Sequence, residues 1–282
     1  MVENRPWLTF VSHLVLILAA LIVVFPVYIA LVAGTHDAGT LLRSPIPIWF
    51  GGELLNNLNT VLFEGISGSN TASIGQTILN SLIMSLGICF GKITISIIAA
   101  YAVVYFKFPF RMTAFWLIFL TLMLPVEVRI LPTYQVVADL NMLDSYAGMI
   151  IPLIASATAT FLFRQFFLSV PEELTEAARI DGAGPVRFFI DILLPLSRTP
   201  IAALFVIQFI YGWKQYLWPL LITTKESYYT AVVNVSRLMN TQDTAPKWNL
   251  IMLAAIIAMI PPILVVIAMQ RQFVRGLVET EK

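Results

Sequence analysis

Runs of eighteen or more apolar residues recur along this 282-residue chain, and no other feature limits its folding as sharply. Each run is long enough to cross a hydrocarbon core of ~30 Å. Only 12% of the residues are charged and 59% are hydrophobic, about half the charge that a soluble domain of this size carries. Backbone polar groups in lipid must be satisfied within the segment, which selects helices. The sequence therefore predicts an all-α integral membrane protein with six transmembrane helices, at approximately 14–33, 77–105, 112–134, 146–167, 199–221 and 249–269. The first run is too long for the core of a signal peptide, and the following GTHDAG is a poor cleavage site, so an uncleaved anchor is expected. The third segment meets Pro125 and Pro132 and is expected to be broken or tilted, while Pro261-Pro262 should kink the sixth. Neither a low-complexity tract nor a convincing repeat divides the chain, which reads as one domain over 1–282.

Orientation follows from lysine and arginine placement. With the amino terminus inside, the inner segments hold Arg5, Lys107, Arg111, Arg164, Arg179, Arg187, Arg198, Arg271, Arg275 and Lys282. The outer segments hold Arg43, Arg129, Lys225, Arg237 and Lys247. That asymmetry, and an even helix count, place both termini in the cytoplasm. The net charge of +1 points to no nucleic acid. A single cysteine, Cys89, excludes an internal disulfide and a thiolate cluster. His13 and His36 form no HExxH pattern, so neither a metal site nor a catalytic residue is expected.

Between the fourth and fifth apolar segments lies a charged island, residues 168–198, containing EAARIDGAGPVRFFIDILLP from Glu176 to Pro195. Ser169-Val-Pro-Glu172 has the spacing of a capping box, with Pro171 in the first turn. Leu174, Ala177, Ala178 and Asp181 share one helical face, and Gly182 should end the helix in the left-handed region. Phe188, Phe189, Ile192 and Leu193 supply a second apolar face before Pro195. Two short helices at an angle are expected. A hairpin lying on the lipid surface is the plain alternative, although its mixed charge lacks the lysine and arginine excess that such surfaces prefer.

Glu-Ala-Ala, three residues, Gly, nine residues and Ile-x-Leu-Pro together resemble the cytoplasmic coupling loop of permease subunits in binding-protein-dependent ABC importers. The likeness extends through NRPWL, TLMLPVEVRILPTY, LNMLDSYAG, ATATFLFRQFF, YGWKQYLWPLL and QRQFVRGLVETEK, where it is closest to the sn-glycerol-3-phosphate branch of that family. The resemblance implies a bacterial inner-membrane, multi-pass subunit that is itself no enzyme. It would pair with a second permease, two ATPase subunits carrying ATP and Mg, and a periplasmic solute-binding protein. A phosphorylated small molecule would be its cargo, moved by ATP-driven alternating access. Glu176, Ala177, Ala178, Asp181, Gly182 and Ala183 match the loop that meets the ATPase. Gln270, Arg271 and Gly276 match a carboxy-terminal pattern of sugar-type permeases, although the ending VETEK departs from relatives whose tails reach between the ATPases.

Lys92 lies near the middle of the second apolar segment, where a charge costs roughly 2.5–3.5 kcal/mol on insertion scales. It must face protein or a wet cavity, either as a contact for an anionic cargo or bonded to helix carbonyls or a partner carboxylate. GICFGKIT around it imitates a phosphate-binding loop, but Gly87 and Gly91 are too close for that motif and read instead as a helix-packing face. Trp213, Lys214 and Tyr216 form either an interfacial belt or part of a substrate path; Glu127 and Arg129 either pair, gate the cavity or meet the binding protein. A neutral sugar or polyol cargo, or an ion-driven secondary transporter, are the rival readings.

Overall fold

The computed structural model describes residues 6–65, 72–121, 126–239 and 246–278. Every described element is helical. In order they are α1 Pro6–Ala33, α2 Ala38–Leu41, α3 Leu54–Asn59, α4 Ile74–Tyr105, α5 Arg111–Leu120, α6 Val126–Asp139, α7 Tyr146–Ile150, α8 Ala157–Leu168, α9 Glu172–Ile180, α10 Pro185–Phe188, α11 Leu194–Leu196, α12 Arg198–Trp213, α13 Leu217–Ile222, α14 Ala231–Met239 and α15 Trp248–Val278. Three stretches, in α1, α4 and α15, are long and apolar enough to cross a membrane. Two bent pairs raise that to five: Tyr146–Leu153 with Ala157–Leu168, bent by 48°, and Pro185–Leu196 with Arg198–Trp213, bent by 71°. The protein is thus an all-helical membrane protein with three to five candidate spans.

Contacts group the chain into two compact units, Met1–Gln76 with Asn234–Ile260, and Thr77–Val233 with Pro261–Lys282. In the first, α1 presents an almost wholly exposed apolar surface, as expected of a helix whose solvent is lipid or another membrane chain. Its polar centre is built on two buried asparagines. Asn57 Nδ2 donates to the Gly34 and His36 carbonyls, both at 2.9 Å, and Asn249 Nδ2 donates to His36 at 3.1 Å. These bonds satisfy carbonyls in the turn that follows α1.

The second unit is built on α4. Added Cβ atoms on Gly87 and Gly91 would lie 2.6 Å and 2.5 Å from side-chain carbons of Ile150 and Ile154. The two glycines therefore let the α7–α8 connection press against α4, the packing role their spacing predicts.

The predicted fourth helix over 146–167 is interrupted between Ile151 and Ser156. Pro152 has no N–H for the Gly148 carbonyl, which would be its helical acceptor. The Trp218 indole takes that carbonyl instead, at 3.2 Å. Where the sequence predicts a fifth helix over 199–221, α12 stops at Trp213 and α13 begins at Leu217. Pro219 accounts for the break, because its ring would clash with the Gln215 carbonyl one turn earlier. The sixth helix runs without interruption through Pro261 and Pro262 to Val278, further than predicted. In the third segment, α5 ends at Leu120 and α6 starts at Val126; Pro125 lies outside the described residues.

Candidate functional site

Two places in the second unit concentrate the sequence-predicted residues. The first is the hairpin after α8. Glu172–Ile180 forms α9, nearly all of it exposed, with Ile180 at 86%. Asp181 ends it and Gly182 has φ +71°. The Ala183 N–H donates to the Ala178 carbonyl at 2.9 Å and the Gly182 N–H to Arg179 at 3.1 Å. These are the 6→1 and 5→2 bonds of a Schellman motif, so Gly182 does what its sequence position predicts. Pro185 then occupies the first turn of α10, where its missing N–H is harmless.

The capping box does not form. Ser169 ends α8 and turns its hydroxyl back to the Phe166 carbonyl at 2.7 Å. The extended residue before α9 is Pro171, which leaves Ser169 two positions too early to cap it. The base of the hairpin is apolar. Ala178, Phe188 and Leu193 are buried with Ile93, Ile97, Ala100, Phe163 and Phe167, while Phe189 and Ile192 pack beside them. The Tyr101 ring packs at a tilt on Phe189, 4.9 Å between centres, and its hydroxyl donates to the Pro185 carbonyl at 2.8 Å; Tyr105 meets Phe188 edge-on at 5.3 Å. A π-helical turn over Phe189–Leu193 precedes Pro195, whose missing N–H removes the α-helical bond to Asp191. Of the six loop residues, Glu176, Ala177, Asp181 and Gly182 face outward. Ala178 is buried and Ala183 half-buried.

The second place is a cavity of about 420 Å³ whose wall includes Lys92, Thr121, Arg129, Ser156, Thr160 and Tyr211. Lys92 is 5% exposed, and its Nζ lies 3.5 Å from the centre of the Tyr211 ring. A desolvated cation–π contact of this kind is worth ~2 kcal/mol, comparable with the insertion cost of the charge. Arg129, on α6, reaches the same space. Neither helix carbonyls nor a described carboxylate pairs with Lys92. The Glu127 side chain lies outside the described residues. Trp213 is buried and stacks on Phe209 at 5.8 Å, Lys214 caps α12, and Tyr216 is exposed in the break before α13; none of the three lines the cavity. Tyr211 was not predicted. It lies one helical turn from Trp213–Gln215 in a run of aromatics, and no spacing within one helix reveals a partner on another.

Gln270 is exposed on α15. Arg271 and Gly276 lie on the same helix, their side chains outside the described residues. Among the described residues no group of three His, Cys, Asp or Glu side chains could hold a metal ion.

The family described as "Binding-protein-dependent transport system inner membrane component" matches residues 92–279. The chain belongs to this family. It is therefore a multi-pass inner-membrane permease subunit of an ABC importer, with no catalysis of its own, and family membership implies an ATPase and a binding protein as partners. Along its whole length the permease is 54% identical to the "sn-glycerol-3-phosphate transport system permease protein UgpE" of Escherichia coli strain K12, with 100% of both chains covered. The protein of that name from Shigella dysenteriae serotype 1 is equally similar, 54% over 282 residues. The permease fold is shared with a chain from the crystal structure of a bacterial ABC transporter involved in the import of the acidic polysaccharide alginate. That likeness has a TM-score of 0.81 at 17% identity and covers 97% of this chain and 99% of the other. The charged island and the buried Lys92 both fall within the family match.

Proposed function

We propose that this permease imports sn-glycerol 3-phosphate by alternating access, driven by ATP and Mg bound in a partner ATPase dimer. The whole chain, 1–282, acts as one permease domain with six spans near the predicted positions and both termini in the cytoplasm. It pairs with a second permease subunit, and a periplasmic binding protein delivers the cargo. The observation that carries the mechanism is the outward-facing Glu176–Gly182 turn on a buried, packed apolar base. A lever must be firmly packed where it is anchored and bare where it is pushed; the burial of this hairpin's base and the exposure of its turn fit both requirements. Glu176, Ala177, Asp181 and Gly182 form the contact with the ATPase, while Ala178 and Ala183 seat the helix against its own chain. The tail residues Gln270, Arg271 and Gly276 add a second contact. Full-length similarity to the glycerol-3-phosphate permeases supports the cargo. Lys92 and Arg129 line the translocation path, and Glu127, Trp213, Lys214 and Tyr216 flank it.

The first test is copurification of the tagged chain from gently solubilised membranes, followed by ligand screening of the accompanying binding protein. A second permease, an ATPase and a binding protein selective for glycerol 3-phosphate are expected. A binding protein selective for a neutral polyol would overturn the cargo while leaving the mechanism. Recovery of this chain alone, under conditions that preserve known complexes, would overturn the assembly.

A further inference from the structure

We propose that the break between α7 and α8 is an anion seat, in which Lys92, Arg129 and the first amides of α8 hold the phosphate of a phosphomonoester during its passage. The inference rests on the importer reading and locates within this subunit the place where the cargo's charge is carried.

The cavity joins two cations, Lys92 and Arg129, with the hydroxyl side chains of Thr121, Ser156, Thr158, Thr160 and Tyr211, and among the described residues no carboxylate lines it. Lys92, buried, and Arg129, exposed, are like charges that face one space, and an anion between them would relieve their repulsion. Lys92 is nine-tenths buried or more, yet its described contact is the face of Tyr211. An aromatic face attracts an ammonium without neutralising it or accepting all three of its donors. The ring holds the ammonium in place and leaves its donors available to an anion.

Helix α8 supplies the third element. It is 12 residues long, and Ala155, Ser156, Ala157 and Thr158 all line the cavity. The Ser156 hydroxyl accepts from the Ala159 N–H, and the Ser156 carbonyl accepts from the Thr160 and Ser96 hydroxyls. The N–H groups of Ala157 and Thr158 bond to no described residue. Unpaired amides at a helix start favour an anion, and here they share a cavity with a buried cation. Gly91 and Ser96 on α4 flank Lys92 in sequence, and both touch the break, through Ile154 and the Ser156 carbonyl. Close packing therefore fixes the helix start against the lysine. A tetrahedral dianion with three acceptor oxygens matches two cations and two amides; a neutral polyol uses neither charge.

The test is retention of radiolabelled glycerol 3-phosphate by the full importer complex in lipid nanodiscs, trapped with vanadate and supplied with loaded binding protein. Lys92→Met and Arg129→Met are each expected to lower retention about ten- to a hundredfold, the range for losing a charged hydrogen-bonding partner. Lys92→Arg should restore most of it. Tyr211→Phe should retain cargo and Tyr211→Leu should lose it. Lys107→Met, which removes an exposed charge elsewhere, controls for net charge. Excess glycerol should not displace the label, and displacement by inorganic phosphate would assign recognition to the phosphate group alone. Unchanged retention in both Met variants, with the complex intact by size-exclusion chromatography, overturns the seat. If Lys92→Met fails to assemble, Arg129→Met decides. A wild-type complex that retains no glycerol 3-phosphate overturns the cargo reading instead, a failure visible before any variant is made.

Discussion

The hairpin 172–196 and the loop 223–231 are both attached to α4, by opposite means. The hairpin rests on rings and methyl groups: Phe188, Leu193 and Ala178 buried against α4 and α8, with the Tyr101 and Tyr105 rings packed alongside. The loop is held by named hydrogen bonds. Asn80, fully buried, donates to the Ser227 and Tyr229 carbonyls at 2.8 and 2.9 Å and accepts from the Tyr146 hydroxyl at 2.7 Å. The Ala231 N–H donates to the Ser81 hydroxyl at 2.8 Å. Asp144, at φ +50°, accepts from the Thr224 and Lys225 amides at 2.6 and 2.9 Å and from the Thr224 hydroxyl. Apolar contact tolerates sliding and resists separation; directed bonds fix register and fail abruptly. The hairpin is held by the first kind of contact and the loop by the second.

The comparison breaks most visibly at Phe188. Phe188→Ala is expected to destabilise the protein by about 3–5 kcal/mol, read as a lower thermal midpoint in detergent and as protease cleavage within 172–196. Asn80→Leu should cost about 2–4 kcal/mol, because it leaves one hydroxyl and two carbonyls without their partner. Its cleavage should appear in 223–231 and spare the hairpin. An equal effect of either variant on both regions would erase the distinction.

Gly182→Val tests the hairpin's shape alone, since nothing lies within 4 Å of the added Cβ and only the positive φ is opposed. About 1–2 kcal/mol of local strain is expected, with the protein still inserted and ATP hydrolysis uncoupled from uptake. Normal uptake would remove the lever role.

Asp144 gives the loop an acid sensitivity. Partial burial pushes its carboxyl up, but the Thr224 hydroxyl, the amides of Lys225 and Thr224 and the Lys225 charge together hold it below the usual 3.8. A depressed value in the folded state means the stabilisation is complete above about pH 4 and is lost as pH falls through that folded value. Melting curves in that acid range should steepen for the parent protein and flatten for Asp144→Asn. The smallest effect belongs to the exposed Arg187–Asp191 pair at 3.3 Å; Arg187→Ala should shift stability by under ~0.5 kcal/mol, measurable as a near-unchanged midpoint.

Local signals were legible in the sequence where one residue determines the outcome. Gly182 takes the left-handed turn, Gly87 and Gly91 admit a neighbouring helix, and buried Lys92 lines a cavity. The misread capping box is instructive, because the Ser169 hydroxyl turns back to the Phe166 carbonyl while the extended residue before α9 is Pro171. Long-range pairings were not legible. Nothing in the spacing around Lys92 points to Tyr211, nor from Asn80 to Ser227, because helical periodicity fixes which face a residue is on and not what that face meets. The breaks at 151–156 and 214–216 lie within apolar runs that hydropathy alone cannot divide; their prolines, Pro152 and Pro219, mark them only when the orphaned carbonyls are counted.

One of those carbonyls has mechanical weight. Gly148 loses its helical donor to Pro152 and gains the Trp218 indole, so the interruption in one segment is closed by a side chain from just past the interruption in another. Turning Trp218 away would strand a carbonyl in a medium with no water to receive it, a penalty of several kcal/mol. The bond therefore ties α13 to the α7–α8 elbow, and the far side of that elbow is the wall beside Lys92.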